Sequence, residues 1–182
     1  MNLERIARIH ALTRDLYAGR ADFQQAAARL DEAERLSGYP SMTTLAGAAA
    51  AAGFFTLLFG GSWKDALVAA PVGALLSRLT RFLSRMGISD FFTNISGGAF
   101  AALACLAAGL AGWASSPDTA VIGAIMLLVP GVAITNAIRD TIAGDLVAGV
   151  ARGADAFISA AGISIGAGAA FGLWRLAGLG AA

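Results

Sequence analysis

The stretch FFTNISGGAFAALACLAAGLAGW, residues 91–113, contains no acidic or basic side chain. Spanning the hydrocarbon of a bilayer takes about 20 helical residues, so this segment is long enough to cross one. Its small residues Gly98, Ala101, Ala102, Cys105, Gly109 and Gly112 recur along one helical seam. Helices in lipid gain little from hydrophobicity and associate by close backbone approach, so the seam predicts tight packing. Cys105 belongs to that seam and not to any chemistry.

Outward from this segment lie four more apolar stretches, at roughly 42–60, 66–83, 119–138 and 154–176. The one at 66–83 is marginal, because its uncharged part ends at Ser77 and Pro71 removes a backbone hydrogen bond in its middle. We read it as a kinked span whose Arg78 and Arg81 snorkel toward water, a half-membrane segment being the alternative. With 57% hydrophobic and 14% charged residues among 182, the chain is far more apolar than a soluble domain. The expected fold is all-α: a polytopic membrane protein with about five transmembrane helices over residues 41–182, in contact with the lipid bilayer.

Residues 1–40 differ in character. Leu3, Ile6, Ile9, Leu12 or Thr13, Leu16 and Tyr17 follow helical spacing up to the interruption at Gly19. A second short helix follows, with Asp22 placed to accept from the amide near Gln25, an apolar face of Phe23, Ala26, Ala27, Leu30 and Ala33, and a stop at Ser37-Gly38-Tyr39-Pro40. This amphipathic leader has too few large apolar residues to build its own core. It reads as the end of a soluble domain that packs on something else.

Charge then orients the bundle. The leader carries Arg5, Arg8, Arg14, Arg20, Arg29 and Arg35; Arg78, Arg81 and Arg85 follow the second span, and Arg139 and Arg152 follow the fourth. With five spans, only Lys64 and Arg175 fall on the other side, so eleven of the thirteen cations share one face, which the positive-inside rule assigns to the cytoplasm. The amino terminus is expected inside and the carboxyl terminus outside. Trp63, Trp113 and Trp174 fall at the outer ends of spans, as an interfacial belt would place them.

Several function classes drop out. The cations are dispersed at helix ends and form no basic face for a nucleic acid. One histidine, His10, and one cysteine, Cys105, leave no His-based triad, no cysteine or histidine metal centre and no intrachain disulfide. No nucleotide-type glycine loop follows a strand. We therefore expect no enzyme, no metal and no cofactor.

The informative segment is 129–155. Polar groups near hydrocarbon are costly, and Pro130 with Gly131 interrupts the fourth span, freeing backbone groups that must face protein or a water-filled cavity. Broken helices of this kind build transporter binding sites. Asn136 and Asp140 lie one turn apart on one face; Asp145, Gly149 and Arg152 lie along a second, with Asp155 one turn beyond Arg152 and able to pair with it. Both signs of charge are present, as a zwitterion or carboxylate would require. From the residues alone, Arg139, Asp140, Asp145 and Arg152 read equally as anchors at the membrane boundary.

The pattern Pro130-Gly131, Asn136-Ala137, Arg139-Asp140, Gly144-Asp145, Gly149, Arg152 and Asp155-Ala156 closely resembles the signature of the threonine/serine exporter family. The leader resembles it too, through Ile6-Ala7-Arg8-Ile9, Gly19, and Leu30 to Tyr39-Pro40. Two positions depart: Ala148 stands where the family often has Ser, and Asp155 where it usually has Glu. Neither removes a charge, although the shorter Asp155 could alter substrate preference. The resemblance implies a secondary exporter of threonine and serine, or of dicarboxylates such as succinate, in the bacterial inner membrane. It implies a soluble domain before the leader and a second set of about five spans, in the same chain or in a separate subunit. The chain would then be a half-transporter completed by a second five-span subunit or by a homo-oligomer, with a non-transporting scaffold or assembly subunit as the alternative. Pro130, Gly131, Asn136, Arg139, Asp140, Gly144, Asp145, Arg152 and Asp155 are the expected substrate-binding residues. The seam from Gly98 to Gly112 and the glycines from Gly162 to Gly172 are expected to offer the surfaces on which the second bundle packs.

Overall fold

The computed structural model describes residues 3–20, 22–35 and 40–179, with backbone alone at 3–5 and 33–35. All regular structure among these residues is α-helical. The chain divides into two compact units, Met1–Ser41 and Met42–Ala182.

In the first unit, α1 (Leu3–Tyr17) and α2 (Phe23–Arg35) form an antiparallel hairpin turning at Gly19, whose φ is +64°. Arg8 pairs with Glu32 at 3.3 Å, and Asp15 takes Arg29 at 3.3 Å and Arg20 at 3.6 Å. Asp22 Oδ1 accepts from the Phe23 amide at 2.7 Å and not from the amide near Gln25. Phe23, expected on the apolar face of α2, is 85% exposed, whereas Leu12 and Ala26 are buried. The expected stop at Ser37-Gly38-Tyr39 lies outside the described residues.

The second unit holds four helices long and apolar enough to cross a membrane: α3 (Ser41–Leu58), α4 (Trp63–Arg85), α5 (Asp90–Leu110) and α8 (Leu146–Leu176). Pro71 sits inside α4, which stays one continuous helix. The fourth apolar stretch is instead two short helices, α6 (Pro117–Ile125) and α7 (Gly131–Ile142). Helix α6 ends five residues before Pro130, earlier than the proline itself suggests. A proline ring collides with the carbonyl four residues back, here Met126, and forces the preceding residue out of helical geometry. The helix is capped at Met126, and the chain continues toward the proline in tighter turns, with the Leu127 amide on Ala124 and the Leu128 amide on Ile125.

Helix α5 is the central element, packed against α4, α6 and α8. The core is made of small side chains: Ala52, Ala69, Ala101, Ala102, Cys105, Ala120 and Ala124 are fully buried, with Leu76 the largest among them. Such a core requires backbones in near contact. A Cβ added at Gly166 would overlap the Ile95 carbonyl, and Gly98 and Gly162 sit under the carbonyls of Ile163 and Phe91. Gly98 of the α5 seam and the first GxxxG of α8 are thus spent on the α5–α8 contact, and Gly109 of the seam on Pro117 of α6. This corrects the expectation that they offer a surface to a second bundle; Gly168 and Gly172 alone of that set meet nothing within 4 Å, apart from Gly112 in the turn after α5. Outward-facing side chains such as Leu67, Phe54 and Phe157, each more than two-thirds exposed, are apolar, as lipid contact demands.

One end of this unit is closed by a fully buried carboxylate. Asp65, in the first turn of α4, accepts from the Ser62 amide and hydroxyl through Oδ2, at 2.8 and 2.7 Å. Its Oδ1 accepts from the amides of Ser115 and Ser116, at 2.7 and 2.8 Å. The α3–α4 loop is thereby tied to the α5–α6 loop. Trp63 and Trp113 lie at this same end and are exposed.

Candidate functional site

Two polar features lie away from the Asp65 end. The first is the hairpin of α7 and α8. Helix α7 finishes at Ile142, Gly144 takes φ +88°, and Asp145 starts α8 as its N-cap by accepting from the Ala148 amide at 3.1 Å. A left-handed glycine directly after a helix, followed by a capping aspartate, reverses the chain in very few residues. This is why α8 begins eight residues before the stretch at 154–176 and carries Arg152 and Asp155 on helix. Gly149 lets the two helices touch: a Cβ there would overlap the Thr141 hydroxyl, which is itself bonded to the Ala137 carbonyl at 2.8 Å.

The hairpin brings Asp140 opposite Arg152, where Nη1 and Oδ2 lie 2.7 Å apart, the distance of an ion pair without the alignment of a hydrogen bond. The expected pairing of Arg152 with Asp155 is therefore replaced by a pairing across the turn, and Asp155 remains exposed. Sequence spacing favours neighbours on one helix; the turn at Gly144 offers Arg152 a nearer carboxylate. The Asp140 side chain is 22% exposed and that of Arg152 52%, so the pair sits where solvent screens it partly. Asn136 is half-buried one turn before Asp140, and Arg139 is exposed in the last turn of α7, where a cation suits the helix dipole. Pro130 and Gly131 open α7 without a side-chain cap. Of the nine expected residues, the structure joins Asp140 and Arg152 directly and uses Gly144 and Asp145 to shape the turn between them.

The second feature is an open cavity of about 430 Å³ at the surface between α4, α5, α8 and the break after α6. Its polar wall includes Ser77 and Arg81 from α4, Asp90, Thr93 and Asn94 from α5, and Ser159 from α8, while Leu127 and Leu128 close it at the break. From the sequence alone, Arg81 is only a snorkelling cation and the polar start of α5 is part of an apolar span. The available signal was Thr93-Asn94 on the first turns of α5, beside the charges that end α4, but only the packing of α4 on α5 makes them one wall. Asp65 was missed as well, although Ser62 and Asp65 have capping-box spacing.

A family model described as "Putative threonine/serine exporter" matches residues 1–174. The chain is 32% identical over 163 residues to the "Probable threonine/serine exporter" of Mycobacterium tuberculosis (strain ATCC 25618 / H37Rv), an alignment covering 89% of this chain and 31% of that protein. It is 30% identical over 172 residues to the "Threonine/serine exporter" of Corynebacterium glutamicum, covering 92% of this chain and 35% of that one. The chain thus spans about a third of the length of the curated relatives it matches. No solved structure matches it.

Proposed function

The chain belongs to the threonine/serine exporter family, and from that premise we propose that it is the membrane half of a secondary exporter for small polar metabolites such as threonine and serine, with dicarboxylates as the second substrate class. The observation that carries this reading is the ion pair between Asp140 and Arg152, formed across a hairpin that directly follows a broken membrane span. A pair on two helices joined by one tight turn can exist closed or parted, and a ligand shifts such an equilibrium only by binding one state better. A substrate carboxylate competing for Arg152, or an ammonium competing for Asp140, favours the parted state. Pro130 and Gly131, which leave α7 detached from α6, supply the freedom to move, and Asn136 lies on the same face as Asp140. In this reading Arg139, Gly144, Asp145 and Asp155 complete the polar path. A second five-span subunit, or a second copy of the chain, completes the cavity, since secondary transporters commonly bind at the interface of two related halves. The charge asymmetry supports an orientation with the amino terminus inside and the carboxyl terminus outside.

The test separates charge from shape. Asn matches Asp in size, so Asp140→Asn removes the charge of one partner of the pair while keeping its shape, and Arg152→Gln keeps a polar side chain of similar length. Both variants are expected to insert at normal levels and to lose at least about 90% of the efflux of labelled serine, threonine or succinate, the effect of removing one member of a functional charge pair. Normal efflux from both would return the hairpin to a purely structural role, as in a scaffold subunit.

A further inference from the structure

The cavity between α4, α5 and α8 holds what the hairpin does not: opposite charges without partners. Arg81 and Asp90 line it from adjoining helices, Arg81 half-buried and Asp90 exposed, and neither forms an ion pair with any described residue. Each alone has an ordinary explanation, Arg81 as an interfacial cation and Asp90 as an acid in the first turn of α5. Thr93 has none. It is 6% exposed, and its hydroxyl has no hydrogen-bond partner. Helical threonines satisfy themselves on the carbonyl four residues back, as Thr56, Thr80, Thr135 and Thr141 all do here, at 2.8 to 3.1 Å. Leaving a buried hydroxyl unmade is costly, and Thr93 is one of the residues that line the cavity.

We propose that this cavity binds a zwitterionic hydroxy-amino acid, with its carboxylate on Arg81, its ammonium on Asp90 and its side-chain hydroxyl on Thr93 and Asn94. The site rests on the exporter reading and adds to it a second station, apart from the Asp140–Arg152 hairpin, at which the cargo is held and selected. Three attachment points of different chemistry around one carbon select an α-amino acid. A dicarboxylate satisfies Arg81 but sets its second carboxylate against Asp90, so the site favours threonine and serine over succinate. A volume of about 430 Å³ falls within the range of small-molecule sites and leaves room for water around so small a ligand.

Equilibrium binding of labelled threonine, alanine and succinate to membranes holding the full-length chain, with whatever partner subunit its export requires, tests the assignment. Arg81→Gln and Asp90→Asn are each expected to weaken threonine binding at least about 30-fold, as loss of one partner of a charge pair does. Asp90→Asn should leave succinate binding unchanged or tighter. Thr93→Val, of nearly the same shape, should weaken threonine about tenfold and alanine not at all, and Thr93→Ser should restore threonine. Equal losses for threonine and alanine in Thr93→Val would mark lost packing and overturn the hydroxyl contact. If wild-type membranes bind threonine and the Arg81 and Asp90 variants bind it equally well, the cavity assignment is overturned and the exporter reading stands. If wild-type membranes neither bind nor export threonine, serine or succinate, the exporter reading fails and the site falls with it.

Discussion

At the scale of single residues, Asp65 has the densest hydrogen bonding in the membrane unit, with both carboxylate oxygens accepting two bonds each. All its partners donate, so Asp65→Asn turns an amide NH₂ toward two of them and leaves those donors unpaired in a buried place. Bonds to a charged acceptor are stronger than average, and the substitution should cost about 2–4 kcal/mol. Ser62→Ala, which removes only the capping hydroxyl, should cost about 1 kcal/mol. Thermal unfolding of the purified protein in detergent should rank the two in that order, and an Asp65→Asn protein as stable as wild type would refute the lock. The capping half of this arrangement is legible in the sequence as Ser62-x-x-Asp65. The half that reaches Ser115 and Ser116 is not, because two backbone amides fifty residues away leave no mark in residue identity.

At the scale of elements, the apolar spans were readable because burial in lipid demands a continuous run of a given length, and α3, α4 and α5 follow their runs within a few residues. Helix α8 starts early because its beginning is set by Gly144 and Asp145 and not by hydropathy. Which glycines pack was unreadable. Gly162-x-x-x-Gly166 and Gly168-x-x-x-Gly172 have the same pattern, yet the first is pressed on α5 and the second meets nothing within 4 Å; the difference lies on the partner helix. Gly166→Ala should therefore destabilise the bundle by about 1–3 kcal/mol through overpacking, while Gly168→Ala should be neutral or slightly stabilising through helix propensity. Equal effects of the two substitutions on detergent unfolding would contradict the observed α5–α8 approach. The candidate site was half legible in the same way. Asp140 and Arg152 stand out as charges beside a broken span, whereas Arg81, Asp90 and Thr93 become a set only once α4 and α5 are side by side.

At the scale of the whole molecule, the proposed orientation predicts opposite accessibility at the two ends of the bundle. In a Cys105→Ala background, Ser116→Cys should react with an impermeant maleimide added outside intact cells and Met86→Cys should not; the reverse pattern would invert the topology. The two ends differ also in their relation to bilayer thickness, and helix α8 shows why. Its 31 residues extend about 46 Å at the usual helical rise, against a hydrocarbon layer of about 30 Å. Fitting it entirely inside would need a tilt near 50°, beyond the roughly 0–40° seen for membrane helices. Trp174 and Arg175 anchor its last turns at one interface, so the surplus of about ten residues emerges at the other, and those residues are Leu146 to Asp155. The Asp140–Arg152 pair consequently rides in the headgroup layer. A thicker bilayer draws it toward hydrocarbon, where separated charges are costlier than paired ones, and a thinner one leaves it to water. In proteoliposomes of increasing acyl-chain length, substrate flux should fall as the pair is held shut, and Arg152→Lys, whose single ammonium cannot match the guanidinium fork, should shift that dependence. Flux indifferent to acyl-chain length would mean that the membrane supports the hairpin without setting its poise.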